Sequence, residues 1–135
     1  MLNIYRQVPY FNTHVTFTGS IFNKQMLELE YSKAKIFLLT SSVECCAHVF
    51  AKAAKYGCYI ISTDVDGVYD ITLNEKYGTI IRTHNINDLS QALIKTSQNP
   101  DLLKETCTHY QAYARSHFSW DTLISDFASE LLKSL

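Results

Sequence analysis

Three side chains at intervals of four residues, Glu44, His48 and Lys52, have the chemistry to bind a sugar or a phosphate. Residues four apart are neighbours on one face of a helix. The Glu44 carboxylate can accept hydrogen bonds from two adjacent hydroxyl groups, and a charged acceptor binds them more strongly than a neutral one. His48 lies one turn further on and can contact a phosphate or a sugar hydroxyl, although an exposed surface histidine is the commoner case.

These residues belong to a segment that reads as the helix of a strand-helix-strand unit. Short apolar runs at 35–40 and 58–63 flank it, as expected for strands buried on both faces of a parallel sheet. A helix that begins beyond the carboxyl end of a parallel strand directs its free backbone N–H groups toward the ligand crevice of the sheet. The local pattern therefore predicts a site for a phosphate or an anionic sugar nucleotide.

Each candidate also has a purely structural interpretation. The Glu44 carboxylate would simply cap the first turn of the helix, and Lys52 and Lys55 would form its solvated face. Asp64 and Asp66 end a strand in a turn, which is the usual role of such residues, so we assign no metal there.

Length, composition and charge limit the classes of protein to which the chain can belong. The chain has 135 residues, 47% hydrophobic and 19% charged, which fits one globular domain. A net charge of -1 argues against binding nucleic acid through phosphate attraction. No apolar run approaches the roughly 20 residues of a membrane helix, and the expected location is cytoplasmic.

The cysteines form no C-x-x-C pair, and the adjacent Cys45 and Cys46 cannot both bind one metal without strain. All four, Cys45, Cys46, Cys58 and Cys107, are predicted to be reduced thiols of the core.

The rest of the chain alternates strands and helices. Residues 1–13 are a lead-in that we leave unassigned, and further strands are predicted at 14–18, ending at Gly19, and at 79–82. The predicted helix caps are Asn23, Asn87, Asn99 followed by Pro100, and Ser119. The last helix carries an apolar stripe that needs a cover: Trp120, Leu123, Ile124, Phe127, Leu131 and Leu135.

Six segments in order point to a family. They are VTFTG at 15–19, SSVE at 41–44, AKAAKYG at 51–57, IISTDVDG at 60–67, YGTII at 77–81 and FSW at 118–120. Together they resemble the carboxyl-terminal half of the retaining GT-B glycosyltransferases, the group 1 glycosyltransferase family, over residues 14–135. The resemblance implies an α/β fold, with a Rossmann-like parallel sheet flanked by helices, that holds a nucleotide sugar.

The resemblance also implies roles for individual residues. Glu44 matches the glutamate that accepts hydrogen bonds from the donor sugar and is the candidate catalytic residue. Backbone N–H groups near the donor diphosphate are expected at Cys46, Ala47, His48 and Val49, and contacts to the base at Gly19, Ser20 and Ile21.

Two departures from the family pattern limit these expectations. Lys52 stands where the family has a second glutamate that binds the ribose, and a lysine has only donors. Nothing ahead of His14 resembles the first two strand-helix units of the donor domain, so a gap in the sheet and a fragment or truncated product are expected.

We therefore expect a chain that needs an amino-terminal acceptor domain or a second chain for activity. No cofactor is expected besides the donor substrate, and the full enzyme is compatible with peripheral membrane association. The alternative is a degenerate or non-catalytic α/β module for assembly or signalling. The sequence does not identify the sugar, the base or the acceptor.

Overall fold

A computed structural model of the chain describes residues 14–45, 48–82 and 85–133. Within those residues it contains three strands and six helices. In chain order they are α1 Lys24–Lys33, β1 Ile36–Leu39, α2 His48–Lys55, β2 Tyr59–Thr63, α3 Val68–Thr72, β3 Gly78–Ile81, α4 Ile86–Ser97, α5 Pro100–His117 and α6 Trp120–Lys133.

The strands form one parallel sheet in the order β1-β2-β3. Ile36 pairs with Tyr59 at the start of β1, and Ile60 pairs with Gly78 at the start of β3. Parallel neighbours require crossover helices, and the helical segments between the strands supply them. This confirms the predicted α/β class with a Rossmann-like parallel sheet.

The core lies on both faces of β2. One cluster, centred on Ile60, joins the sheet to α2 and α5 through the buried residues Phe50, Ala53, Ala54, Cys58, Val65, Val68, Tyr77, Tyr110 and Ala114. On the other face Ile61 packs with Ile81 and with Ala92 of α4. Double-sided burial is thus confirmed for β2, but β1 is an edge strand of the described sheet and leaves Leu38 42% exposed.

Tyr110 is the largest fully buried side chain among the described residues. Its hydroxyl donates a hydrogen bond to the carbonyl oxygen of Ile71 at 2.6 Å, and its ring stacks on that of Tyr77 with centroids 4.6 Å apart. Burial raises the pKa of Tyr110 well above its usual range. A buried phenol needs such an acceptor, and this bond ties α5 to the segment between β2 and β3.

Two of the cysteines are core thiols, as predicted. Cys58 donates to the carbonyl oxygens of Tyr31 and Ala34 at 3.5 Å, and Cys107 donates to that of Lys35 at 3.6 Å. Burial, with the neighbouring Cys107 adding to it, raises the pKa of the Cys58 thiol to about 11. The thiolate is the reactive form, so this side chain is chemically inert in the folded protein.

The prediction of a core position is wrong for Cys45, which is exposed and free. It lies in the loop between β1 and α2, outside the regular elements that pack against the sheet. Cys46 falls outside the described residues.

The strand predicted at 14–18 is wrong. Residues 15–23 have no regular secondary structure, and Val15 and Phe17 are 44% and 59% exposed. An alternating pattern forms a strand only when a neighbouring strand pairs with its backbone groups, and the described sheet extends no further than β1 on that side. The three strands are contiguous, so the described sheet does not contain the expected gap.

Three of the four predicted helix caps are confirmed. The side-chain oxygens of Asn23, Asn99 and Ser119 accept hydrogen bonds from backbone N–H groups in the first turns of α1, α5 and α6. Pro100 occupies the start of α5, where its missing N–H costs nothing.

The fourth cap is Asn85, not Asn87. The Asn85 side-chain oxygen accepts from the N–H groups of Asn87 at 3.1 Å and Asp88 at 3.2 Å, and α4 begins two residues earlier than predicted. Both asparagines suit a cap, so residue type alone did not distinguish them.

This cap gives a testable prediction. Replacing Asn85 by alanine is expected to lower the free energy of unfolding by about 1 kcal/mol, because two first-turn N–H groups lose their acceptor. Asn87→Ala, in the first turn of the same helix, is the matched control and should change it by less than about 0.5 kcal/mol. Urea denaturation followed by circular dichroism measures both, and equal losses would contradict the assignment.

The apolar stripe of α6 remains exposed. None of the residues Trp120–Lys133 is buried, and Trp120 and Phe127 are 77% and 71% exposed. Leu135 falls outside the described residues. No helix in the described part of the chain combines the length and the hydropathy needed to cross a membrane.

Candidate functional site

The carboxyl ends of the three parallel strands meet at one edge of the sheet, and two hydrogen bonds join them there. The Thr63 hydroxyl at the end of β2 donates to the carbonyl oxygen of Ser41, just after β1. The N–H of Asp64 donates to the carbonyl oxygen of Ile81 in β3 at 3.2 Å. In open parallel sheets this edge is where ligands bind.

Glu44 lies in the loop that leaves this edge after β1. Residues 40–45 have no regular secondary structure, and Glu44 is partly exposed. Within the described residues its carboxylate accepts no capping hydrogen bond. Glu44 therefore lies in a partly exposed loop at this edge, although it is not among the lining residues of the two cavities described next.

A depression of about 260 Å³ adjoins this loop. It brings His48, at the described start of α2, together with Asp66 and Gly67 from the loop after β2. The other lining residues are Cys45, Phe50, Ala51 and Ile71. The backbone turn at Gly67 is left-handed, with φ of 79°, and leaves open space beside it.

A larger groove of about 810 Å³ runs from His48 between α2, α5 and α6, and we call it the cationic groove. Its charged lining residues are Lys52, Lys55 and Arg115, and no carboxylate is among its lining residues. Its remaining lining residues are Ala51, Ile71, Ala114, Phe118, Ser119, Trp120 and Leu123. Three cations around an apolar floor suit an anion that carries an apolar part.

Lys52 lies in this groove on the exposed face of α2. In the described part of the chain the two ion pairs are Lys33–Glu30 and Lys133–Glu130, so Lys52 pairs with no carboxylate there. Its ammonium group is available to a phosphate but cannot accept from a ribose hydroxyl.

The structure does not bring all the predicted site residues together. Gly19 and Ser20 are exposed, Ile21 is partly buried, and none of the three lines the depression or the cationic groove. Val49 is partly buried in α2. Cys46 and Ala47, two of the expected diphosphate contacts, lie outside the described residues.

Arg115 and Ile71 line the groove, and the sequence does not predict either of them there. Arg115 occupies one position of an ordinary helix face, and Ile71 lies in α3, a helix of five residues that is too short to show a period. The sequence predicts only packing for Trp120, yet this side chain borders the groove. The packing of α5 beside α2 brings Arg115 near Lys52, and the positions of α3 and α6 bring Ile71 and Trp120 to the same groove.

Potential metal ligands do not gather at this edge or elsewhere in the described structure. Among residues 14–45, 48–82 and 85–133 no three His, Cys, Asp or Glu side chains lie close enough to share one ion.

Comparison with known proteins identifies the family. No curated protein matches the chain. The family model described as glycosyl transferases group 1 matches residues 10–117, well over half of the 135 residues. This agrees with the parallel α/β sheet. The chain therefore belongs to the glycosyl transferases group 1 family.

Proposed function

We propose that this chain is the nucleotide-sugar-binding part of a glycosyltransferase. The full enzyme would move a sugar from a nucleoside diphosphate sugar to a glycan or a lipid-linked acceptor. The observation that carries the proposal is the position of Glu44, in a partly exposed loop at the carboxyl edge of the sheet, in a chain of a glycosyl-transferring family.

Each group at this edge has a role in the proposal. Glu44 accepts hydrogen bonds from hydroxyls of the donor sugar and fixes its orientation. The backbone N–H groups at 46–49 bind the diphosphate at the start of α2, where orphan donors and the helix dipole favour an anion. Residues 19–21 contact the base, and Lys52 contributes a cation to the phosphates rather than an acceptor to the ribose.

Activity requires a partner. Catalysis in this proposal takes place between the donor site and an acceptor domain, which a longer polypeptide or a second chain supplies. The expected location is cytoplasmic, and a lipid-linked acceptor would bring the full enzyme to a membrane surface. No metal or further cofactor takes part.

Isothermal titration calorimetry of the chain with uridine and guanosine diphosphate sugars tests donor binding. The Glu44→Gln variant is expected to bind about ten-fold more weakly or worse, since a hydrogen bond to a charged acceptor contributes about 1.5–3 kcal/mol. Glu105→Gln removes an exposed carboxylate from α5 and is the matched control with unchanged affinity. Equal affinity of wild type and Glu44→Gln would remove Glu44 from the site.

The position of Lys52 favours a second candidate, a degenerate donor domain kept for assembly. Its ammonium group stands on the helix face where the family binds the ribose through a carboxylate. Absence of heat at millimolar nucleotide sugar, with the chain folded by circular dichroism, would favour this second function over the first.

A further inference from the structure

A recess of about 270 Å³ lies at the amino-terminal edge of the sheet, at the opposite end of the strands from Glu44. The starts of β2 and β3 and the junction of α4 with α5 enclose it. We call it the lysine pocket, and its lining residues are Tyr59, Lys76, Thr79, Lys95, Thr96, Asn99, Leu102, Leu103 and Thr106. None of them lines the cationic groove or the depression beside the Glu44 loop. The lysine pocket is therefore separate from the candidate donor site.

The lysine pocket is positively charged. Lys76 and Lys95 are its charged lining residues, and no carboxylate lines it. The ion pairs in the described part of the chain lie in α1 and α6, so neither of these lysines pairs with a carboxylate there. The ammonium of Lys76 lies 5.1 Å from the ring centroid of Tyr77, a contact that uses none of its N–H donors. Both lysines thus offer charge and hydrogen-bond donors to an anion.

Two acidic side chains close to the lysine pocket lie outside its lining. The Glu75 carboxylate accepts a hydrogen bond from the N–H of Ile80 in β3 at 2.9 Å. Asp88 lines an adjoining depression that shares Lys95 with the pocket, and Arg82 supplies a further cation there. An anion in the lysine pocket would therefore meet no carboxylate in the pocket wall.

A pair of hydroxyl groups adds a donor to the pocket. The hydroxyls of Tyr59 and Thr79 are 3.0 Å apart, and both side chains are partly buried. One hydroxyl donates to the other, so the second keeps its own proton for a further acceptor. In the described structure neither hydroxyl has another hydrogen-bond partner. An anionic oxygen in the pocket would supply the missing acceptor.

We propose that the lysine pocket binds a small phosphate monoester. Such a group carries a charge of about −1.5 to −2 at pH 7 and has three acceptor oxygens, which match two ammonium groups and one hydroxyl donor. A carboxylate has a single charge and would leave one lysine uncompensated. Thr96, Asn99 and Thr106 supply further polar groups for hydroxyls on the body of the ligand.

This inference goes beyond the proposed donor binding and does not depend on it. Tyr59 begins β2 and Thr79 lies near the start of β3, whereas Glu44 follows the end of β1. The five residues of β2 span about 13 Å, so a small phosphate compound does not reach both edges of the sheet. Failure of either proposal leaves the other unaffected.

Amide chemical shifts of the full 135-residue chain, followed by NMR while glycerol 3-phosphate is added at physiological ionic strength, test the site. Saturable shifts are expected at 76–79 and 95–106, with a dissociation constant of about 1 mM or below. Lys76→Gln and Lys95→Gln should each weaken this binding at least about ten-fold, because each removes a charged donor. Lys24→Gln removes an exposed lysine from α1 and is the matched control with unchanged affinity.

The Thr79→Val variant distinguishes a built site from general attraction to two lysines. It keeps both charges and the shape of the side chain but removes one hydroxyl of the pair, and binding should weaken about three-fold or more. Thr108→Val, at an exposed position of α5 outside the pocket, is its control and should bind as the wild type does. Circular dichroism verifies that all variants keep their helices.

A vesicle experiment distinguishes a free compound from a lipid headgroup, because phosphatidic acid carries the same phosphate monoester. Co-sedimentation of the chain with vesicles of phosphatidylcholine and phosphatidic acid, lost in Lys76→Gln and Lys95→Gln, would identify the headgroup as the source. Shifts with glycerol 3-phosphate and no co-sedimentation would identify a free ligand.

Three results would overturn the proposal. They are a chain without saturable shifts at 76–79 and 95–106 up to about 10 mM glycerol 3-phosphate, binding that persists unchanged in both lysine variants, and a Thr79→Val variant with wild-type affinity. The last of these would reduce the site to attraction by surface charge.

Discussion

Replacing Gly57 by alanine is expected to lower the free energy of unfolding by about 3 kcal/mol or more, enough to unfold a large fraction of a marginally stable domain. Gly57 lies in the turn two residues after the end of α2 and has a left-handed backbone, with φ of 74°. A Cβ atom there would lie 2.6 Å from the carbonyl oxygen of Cys107 and 2.9 Å from Cβ of Gln111. Both atoms belong to α5, so the clash separates two packed helices.

Gly67→Ala is the control for the backbone contribution. Gly67 has a similar φ of 79°, but nothing lies within 4 Å of the position that an added Cβ atom would take. Its replacement should cost only the left-handed backbone penalty, about 1–2 kcal/mol. Urea denaturation of both variants, followed by far-ultraviolet circular dichroism, separates the steric effect from the backbone effect. Equal losses would contradict close packing of α2 against α5.

The second large effect is expected at Tyr110. Tyr110→Ala removes a fully buried ring, its stacking on Tyr77 and its hydrogen bond to Ile71, and should cost about 3–5 kcal/mol. Tyr110→Phe keeps the ring and leaves only the carbonyl oxygen of Ile71 without its donor, for an expected loss of about 1–3 kcal/mol.

Tyr69→Ala, at a side chain that is 44% exposed, is the comparison for loss of a tyrosine from the surface. Its expected loss is below about 1 kcal/mol. Urea denaturation ranks the three variants by their free energy of unfolding. A Tyr110→Phe variant as unstable as Tyr110→Ala would show that the hydroxyl, and not the ring, dominates the contribution of this residue.

Much of the fold could be predicted because its local signals agree with its packing. Ile60 and Ile61 lie in a short apolar run, and both faces of their strand are buried. Asn99 and Pro100 predict the start of α5, because an asparagine cap followed by a proline is typical of the first turn of a helix. In such segments the residue types that favour an element are also the ones that its neighbours bury.

The secondary-structure predictions failed where packing against neighbouring elements, and not the local residue pattern, determines the structure. The alternation of Val15 and Phe17 suits a strand, but no described strand pairs with that segment. α3 is held by burial of Val68 and Thr72 and by the bond from the Thr72 hydroxyl to the carbonyl oxygen of Val68, none of which a five-residue pattern reveals.

In the candidate site, too, some residues could be placed from the sequence and others depend on how the helices pack. Glu44 follows the first strand of the sheet, so chain order alone placed it at the carboxyl edge. The grouping of Lys52 with Arg115 depends on how α5 packs beside α2, and residues 63 positions apart in the chain carry no local sign of it.

The inert thiols of Cys58 and Cys107 have a practical consequence. A thiol reagent at neutral pH should modify the exposed Cys45 at once, whereas the two buried sulfurs react only in molecules that have opened. The rate of their alkylation in native buffer, without any denaturant, therefore measures how often α5 and β2 separate. The protein thus carries its own reporter of rare openings in its least accessible region.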